Sequence, residues 1–227
     1  MRARRGLAWG WATVVAYAVL LAAVSVQAVR DPDVDRSGGS DPAADGLAVA
    51  QAFVEAWERS RTATFLTVGT YERHSEVTGA TITSEDVVAQ RPPRRIHRQL
   101  GGVDGRDDDR VIVCPAPPAG QEAEPCRFGP PGGVSYERSV AREVAGLRSL
   151  TTGPDPLYRV AAAGPGCFAV DLARVDPRAP FGVSASFCFD AETGAPASRR
   201  VQHEGGIVEV LTVTAITASV TDRDLEP

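Results

Sequence analysis

Residues 183–220, VSASFCFDAETGAPASRRVQHEGGIVEVLTVTAITASV, contain three strand-like segments in close succession. β-Branched and aromatic residues predict strands over residues 183–189, 198–203 and 207–220. Strands joined by such short connections pair antiparallel. The last segment is apolar on both alternations, which predicts a strand that is covered on both sides over part of its length. Its two apolar sets are Ile207, Leu211 and Val213, and Val208, Val210 and Ile216.

The chain before residue 183 continues the same pattern of short strands. Strands are predicted over residues 63–76, 80–90, 94–100, 110–114, 126–128, 157–162 and 167–172. A turn around Thr78-Gly79 joins the first two, and GGVDGRDDD, residues 101–109, is predicted to turn the third toward the fourth. Successive strands with short turns indicate an antiparallel meander.

Two helices accompany the strands, so the fold class is α+β. The first is predicted over residues 46–60, with Asp45 as its cap and a stripe of Leu47, Ala50, Phe53, Val54 and Trp57. The second, over residues 135–150, interrupts the strands. Its predicted apolar face is Tyr136, Val140, Val144, Leu147 and Leu150.

The N-terminus predicts export from the cytoplasm. Residues 6–29 form an uncharged run behind Arg2, Arg4 and Arg5, and as a helix they would reach about 36 Å, enough to cross a membrane. We therefore interpret residues 1–29 as a signal anchor or signal peptide, with residues 7–29 in the cytoplasmic membrane. Residues 30–45 are predicted as a flexible linker and residues 46–227 as one extracytoplasmic domain.

Two fates of the N-terminal helix remain open. An uncleaved single-pass anchor leaves the N-terminus inside and the C-terminal domain outside, as the flanking arginines favour. Val26-Gln27-Ala28 also has the small residues of a cleavage site, and cleavage after Ala28 would give a secreted protein.

The charge balance argues against a nucleic-acid partner. All 29 acidic residues but only 21 of the 24 basic ones lie beyond Val29, which gives the exported part a net charge of −8. Such a domain repels phosphate backbones.

The four cysteines predict two disulfides, since all of them lie in the exported part. Four cysteines allow three pairings. Antiparallel hairpins would bring Cys114 to Cys126 and Cys167 to Cys188, so we predict these two bonds. A metal site made of all four thiolates is the alternative, but it lacks the close C-x₂-C spacing of such sites.

The order of helix, antiparallel strands, inserted helix and further strands resembles the LolA/LppX/LprG-like lipoprotein-carrier fold. Three stretches carry this resemblance: AWERSRTATF at residues 56–65, VAQRPPRRIHRQLGG at 88–102 and FCFDAETGAPASRR at 187–200. The resemblance implies a strongly curved antiparallel sheet, a half-barrel, covered by helices. It also implies a space between sheet and helices that holds acyl chains or a partner's lipidated segment.

This resemblance gives candidate ligand-binding residues. A hydrophobic cavity would be lined by Leu66, Val68, Phe168, Val170, Phe187, Leu211 and Val213, although ordinary core packing explains the same residues. Arg91, Arg94, Arg95, His97 and Arg98 form the densest basic cluster. Arg94 and Arg98 are the candidates to hold an anionic headgroup, and a solvated strand edge is the alternative.

No catalytic motif is present in the sequence, so we expect neither an enzyme nor a cofactor. Asp104, Asp107, Asp108 and Asp109 lack the register of a calcium loop, and the three histidines are far apart, so no metal site is predicted. The expected function is membrane-tethered binding of lipid or lipoprotein acyl chains, in transport or sensing. The alternative is a protein-interaction or sensor domain of the envelope, with an envelope protein as partner and no lipid cargo.

Overall fold

The computed structural model describes residues 42–118 and 120–227. The predicted signal segment, residues 1–29, and the linker up to residue 41 lie outside the described residues. Helix α1 spans Pro42–Thr62 and α2 spans Tyr136–Thr151. The strands are β1 Phe65–Ser75, β2 Thr81–Arg91, β3 Arg94–Gln99, β4 Gly102–Asp107, β5 Arg110–Cys114, β6 Arg127–Phe128, β7 Tyr158–Gly164, β8 Cys167–Leu172, β9 Ser184–Phe189, β10 Pro196–His203 and β11 Ile207–Thr217.

All eleven strands belong to one open antiparallel sheet in the order β6-β5-β4-β3-β2-β1-β11-β10-β9-β8-β7. The α+β class and the antiparallel meander predicted from the sequence are confirmed. The closing strand β11 lies at the centre of the sheet between β1 and β10. Val208 and Leu211, one from each alternation, are both buried, so this strand is covered on both faces over part of its length.

Strand β4 corrects the prediction of a simple turn at residues 101–109. Gly102–Asp107 pairs with β3 on one side and β5 on the other, and only Asp108 and Asp109 remain in the following turn. The reversal before it uses Leu100 and Gly101, both with positive φ, as a two-residue hairpin turn of type I′ requires. Glycine and aspartate have low strand propensity, so the sequence did not predict this strand. It forms because it pairs with β3 and β5.

Both helices form where the sequence predicts them, with differences at the first. Helix α1 begins at Pro42, inside the predicted linker, so Asp45 lies in its first turn and is not its cap. A proline suits the first turn of a helix because its missing N–H has no partner there. In α2 the Ser135 side chain accepts a hydrogen bond from the Arg138 backbone N–H. Four of the five predicted α2 core residues are buried, and Leu150 is half-buried.

The sheet bends toward the helices, which lie on one face that we call the inner face. Ser139 of α2 accepts a hydrogen bond from Arg106 of β4, while Val140, Val144 and Leu147 share a core with Val160 of β7. Strands β4 and β7 are eight positions apart, which is about 38 Å in a flat sheet. A helix of 16 residues is only about 24 Å long. The two ends of the sheet must therefore approach each other around α2.

The opposite, outer face carries the end of the chain. The C-terminal segment, residues 218–227, includes a short 3-10 helix at Arg223–Leu225 and lies against β2 and β3. Leu225 is fully buried there, as are Ala89 and Ile96 of the two strands. This segment covers apolar outer-face residues that the helices do not reach.

Disulfides join Cys114 to Cys126 and Cys167 to Cys188, which confirms both predicted pairs. Cys167 and Cys188 are direct cross-strand neighbours on β8 and β9. Cys114 ends β5, and Cys126 precedes β6. In the described ranges, neither helix has the combined length and apolar character needed to cross a membrane.

Candidate ligand-binding site

The inner face has an apolar half made by β7 to β10. Phe53 of α1 packs on Phe168 and Phe187 with ring centroids 5.4 and 5.5 Å apart. Trp57 lies 5.4 Å from Phe187. Both phenylalanines and Val170 are buried in the same cluster. Aromatic packing at these distances fills the space between α1 and this half of the sheet.

The other half of the inner face, made by β1 to β4, is polar. Successive residues of a strand point to opposite faces, so Asp86 and Gln90 of β2 share the inner face with Arg95 and His97 of β3. Asp86 and Gln90 are almost fully buried. Gln90 Nε2 donates to the carbonyl oxygens of Ser60 and Ala63, 2.9 and 2.8 Å away, and thereby holds the end of α1 on the sheet.

Two adjacent cavities open between this polar half and the helices. The larger, which we call the arginine cavity, has a volume of about 190 Å³ and is lined by residues that include Arg61, Arg95, Arg106, Tyr136, Ser139 and Glu143. The smaller, which we call the apolar recess after Trp57, Val88, Phe187, Phe189 and Leu211 in its wall, has about 90 Å³. Its wall also contains polar and charged side chains, Asp86 and Arg199 among them. Arg61, Arg95 and His97 line both, so the cavities meet at these side chains.

Glu143 of α2 connects the two helices at the edge of the arginine cavity. Its Oε1 accepts hydrogen bonds from Arg61 Nη2 at 2.8 Å, Arg61 Nε at 3.0 Å and Trp57 Nε1 at 2.9 Å. The Arg61 guanidinium also stacks 4.9 Å above the Trp57 ring. Burial alone would raise the pKa of Glu143, but the charge and hydrogen bonds of Arg61 lower it below the ordinary value. We call this contact the Glu143 clasp.

Asp86, a buried carboxylate of β2, is hydrogen-bonded by two polar neighbours on the sheet. Asp86 Oδ2 lies 2.8 Å from His97 Nε2 and accepts a hydrogen bond from Gln99 Nε2 at 2.6 Å. His97 hydrogen-bonds to no serine, threonine or cysteine within the described residues. The bonds of Asp86 to His97 and Gln99 join β2 to β3.

Arg95 differs from its neighbours because nothing in the described part of the chain pairs with its guanidinium. Its Nε is buried without a hydrogen-bond partner, as is that of Arg106. Burial, followed by the positive charge of Arg61, lowers the pKa of Arg95 to about 10. The side chain remains charged at neutral pH in a site that disfavours the charge.

The apolar residues predicted to line a cavity do not converge on one site. Phe187 and Leu211 line the apolar recess, whereas Phe168 and Val170 lie in the filled aromatic core. Val213 is on the inner face opposite Gly69. Leu66 and Val68 are on the outer face, because the inner positions of β1 are Phe65, Thr67 and Tyr71.

The predicted headgroup residues Arg94 and Arg98 also point to the outer face. Arg94 Nη2 donates to the carbonyl oxygen of Leu225 at 3.1 Å, and Arg98 Nη2 donates to that of Asp224 at 3.1 Å. Both arginines thereby hold the C-terminal segment against the outer face of the sheet. Arg95, between them in sequence, takes the opposite face and enters the cavity.

Sequence reasoning missed most of the charged residues at the site: Arg61, Asp86, Arg106, Glu143 and Arg199. They come from two helices and three strands, so no local motif joins them. Arg95 and His97 point to the inner face, whereas Arg94 and Arg98 point to the outer face, because side chains alternate along the strand. No group of three or more potential metal ligands forms within residues 42–118 and 120–227.

Neither a protein-family model nor a curated protein matches this sequence. Solved structures with a similar fold include MucB in the Pseudomonas aeruginosa MucA/MucB complex, with 18% identity and a TM-score of 0.44. That match covers 78% of this chain and 61% of MucB, so this chain spans about three fifths of the length of MucB.

Two further structures belong to the group that the sequence resembles. The LolA superfamily protein NE2245 from Nitrosomonas europaea has 10% identity and a TM-score of 0.34, with 79% of this chain and 98% of that chain covered. A putative outer membrane lipoprotein-sorting protein domain from Vibrio parahaemolyticus has 10% identity and a TM-score of 0.32, with 81% and 97% covered. LolA-like proteins are thus among the structures similar to this chain.

Proposed function

We propose that this chain is an extracytoplasmic binding domain, tethered to the cytoplasmic membrane through residues 7–29, for lipid or the acyl chain of a lipidated protein. The observation that supports the proposal best is the junction of the apolar recess with the arginine cavity at Arg61 and Arg95. An amphipathic ligand with an anionic end matches this arrangement. Its apolar part would pack in the apolar recess, and its charge would face the arginines of the arginine cavity.

The volume of the site limits how such a ligand binds. Pockets for drug-sized ligands measure about 300–1,000 Å³, whereas the recess and the arginine cavity have about 90 and 190 Å³. Phe53 and Trp57 of α1 occupy the neighbouring space. We infer that α1 separates from the sheet, and that the Glu143 clasp opens, when a whole acyl chain enters.

A protein-interaction or sensor domain without lipid cargo is the second candidate. The filled aromatic half of the inner face favours it, since no acyl-sized space exists there among the described residues while α1 is in place. The cavity arginines would then receive an acidic side chain of an envelope protein.

Mass spectrometry of the full chain purified from its native envelope separates these candidates. We expect stoichiometric lipid with the wild type, and none with Leu211→Trp, which fills the apolar recess. Thr70→Trp, at an exposed position of β1, is the matched control and should retain lipid. Purification of one envelope protein without lipid would select the second candidate.

A further inference from the structure

Arg95 and Arg106 are direct cross-strand neighbours on β3 and β4, and both side chains lie on the inner face. Like charges directly opposite each other destabilise a sheet. Arg61 of α1 adds a third guanidinium to the same cavity, and its charge acts on Arg95. Three arginines thus converge in a domain whose overall charge is negative.

The carboxylates around them do not compensate all three charges. Glu143 pairs with Arg61, and Asp86 is occupied by His97 and Gln99. Arg106 hydrogen-bonds to neutral groups, the Ser139 hydroxyl and the Val134 carbonyl. Within the described residues, neither Arg95 nor Arg106 has a carboxylate within ion-pair distance.

We propose that Arg95 and Arg106, with Arg61 beside them, form a subsite for one phosphate group. This inference rests on the proposed function, since the group would be the headgroup phosphate of the bound lipid. A guanidinium offers parallel N–H donors to two phosphate oxygens, and two neighbouring guanidinium groups around one phosphate replace mutual repulsion by attraction. Free inorganic phosphate has the same chemistry, so an experiment must distinguish the two sources.

The charge count of the arginine cavity agrees with a single anion. Its wall contains three arginines against two carboxylates, Asp104 and Glu143, and the adjoining recess adds one of each, Arg199 and Asp86, which leaves one positive charge. A phosphodiester carries one negative charge and would neutralise it. Desolvation inside the cavity would strengthen this pairing relative to a surface site.

Fluorescence of Trp57 provides a direct measurement, because its ring stacks under Arg61 and its Nε1 bonds to Glu143. The chain has three tryptophans, so Trp9→Phe and Trp11→Phe leave Trp57 as the only reporter. We would titrate this full-length chain, in non-ionic detergent, with inorganic phosphate and separately with dihexanoylphosphatidylglycerol. Both titrations would be repeated with Arg95→Gln, Arg95→Lys and Arg159→Gln, the last an exposed arginine of edge strand β7.

We expect saturable binding that Arg95→Gln weakens at least tenfold and Arg95→Lys several-fold, because lysine keeps the charge but loses the paired donors. Arg159→Gln should bind like the parent. Saturation by both probes would mean that phosphate alone suffices, and saturation by the lipid alone would mean that the attached acyl chains are required. The proposal is overturned if neither probe binds, or if Arg95→Gln binds within twofold of the parent.

Lipid analysis of the same variants separates this inference from the proposed function. Arg95→Gln purified with wild-type amounts of lipid, together with no phosphate binding by the parent, would reject the subsite and leave the lipid-binding proposal standing. Phosphate binding that depends on Arg95, with no lipid in any preparation, would reject lipid binding and keep the subsite.

Discussion

The Arg95 side chain brings a positive charge into a cavity where the charge that affects its pKa most is that of another arginine, Arg61. A buried polar group without a partner reduces stability by about 1–3 kcal/mol, and a charged one by more if it remains charged. Retaining such a residue is understandable if the partner is a ligand. The stability of the fold and the binding of a ligand therefore both depend on Arg95.

We predict that Arg95→Met raises the free energy of unfolding of the ligand-free protein by about 1 kcal/mol. Methionine keeps the aliphatic stem and removes the unpaired guanidinium. Arg106→Met is the contrasting variant, because it loses hydrogen bonds to Ser139 and Val134 and should destabilise the fold. Urea unfolding measures both, and a loss of stability in Arg95→Met would contradict the prediction.

Gly69 is required by the packing of the two central strands. A Cβ at this position would lie 2.5 Å from the Thr212 carbonyl oxygen and 2.9 Å from the Val213 Cα, at the register shift between β1 and β11. We expect Gly69→Ala to reduce the free energy of unfolding by about 1–3 kcal/mol, since the neighbouring atoms belong to the backbone and must shift.

Gly46→Ala in α1 is the control, because a Cβ added to Gly46 would meet no packed neighbour within 4 Å. Alanine there should increase stability by up to about 1 kcal/mol through helix propensity. Thermal unfolding of the two alanine variants should therefore shift in opposite directions. Equal shifts would show that Gly69 is not under steric constraint.

At the scale of elements, the Glu143 clasp joins α1 to α2 and makes their packing dependent on pH. The folded-state pKa of Glu143 is below its ordinary value of 4.5, because Arg61 outweighs the effect of burial. The clasp therefore stabilises the fold above pH 4.5, and this contribution is lost as the pH falls through the lowered pKa.

We predict that Glu143→Gln lowers the free energy of unfolding by up to about 1 kcal/mol at pH 7, a modest value because the carboxylate is partly exposed. The difference from wild type should shrink toward pH 3. Glu122→Gln, at an exposed loop position, should show no such pH-dependent difference. Unfolding measured from pH 3 to pH 7 tests this, and a constant difference across that range would contradict it.

The two disulfides restrain different elements. Cys167–Cys188 links β8 to β9, whose phenylalanines form the aromatic core. Cys114–Cys126 closes a loop at the β6 edge of the sheet, and most of that loop's described residues are exposed. In the chain-entropy description, each bond contributes about 3 kcal/mol.

We predict that Cys167→Ala/Cys188→Ala lowers the free energy of unfolding of the whole domain by about 3 kcal/mol. Cys114→Ala/Cys126→Ala should, in addition to a stability loss, allow proteolytic cleavage within residues 115–125 of the folded protein. Limited proteolysis under native conditions compares the two. Earlier cleavage in the β8–β9 variant than in the loop variant would contradict this assignment.

Over the whole molecule, the domain combines a negative net charge with one cavity whose lining is positively charged. The acidic exterior disfavours non-specific contact with anionic surfaces, while the cavity retains a local attraction for one anionic group. The predicted N-terminal anchor would place this domain next to the outer surface of the cytoplasmic membrane.

We predict that alkaline phosphatase fused after Pro227 is active, because the fusion point would lie outside the cytoplasm. The fusion should stay with the membrane after carbonate washing if residues 7–29 act as an uncleaved anchor. Deletion of residues 6–29 should abolish the reporter activity. An active fusion without these residues would contradict the export prediction, and release by carbonate would favour cleavage after Ala28.

The elements were largely predictable because their signals are local. The face of α2 follows from a 3.6-residue period, and the two disulfides follow from cysteines placed symmetrically in short hairpins. Strand β4 was missed because Gly102–Asp107 has poor strand propensity and is fixed by its two neighbours. Most residues of the candidate site were missed for a different reason, since Arg61, Arg106 and Glu143 meet only when the sheet bends around the helices.

The amino-acid pattern by itself determined an α+β class, antiparallel pairing and both cysteine pairs, since each depends on residues close together in the chain. Only the tertiary structure decided that Arg95 enters a cavity while Arg94 and Arg98 hold the C-terminal segment. Side-chain direction alternates along every strand, but which face becomes the interior depends on where distant helices pack. The packing of these helices is a long-range interaction, and it brings the arginines of the cavity together.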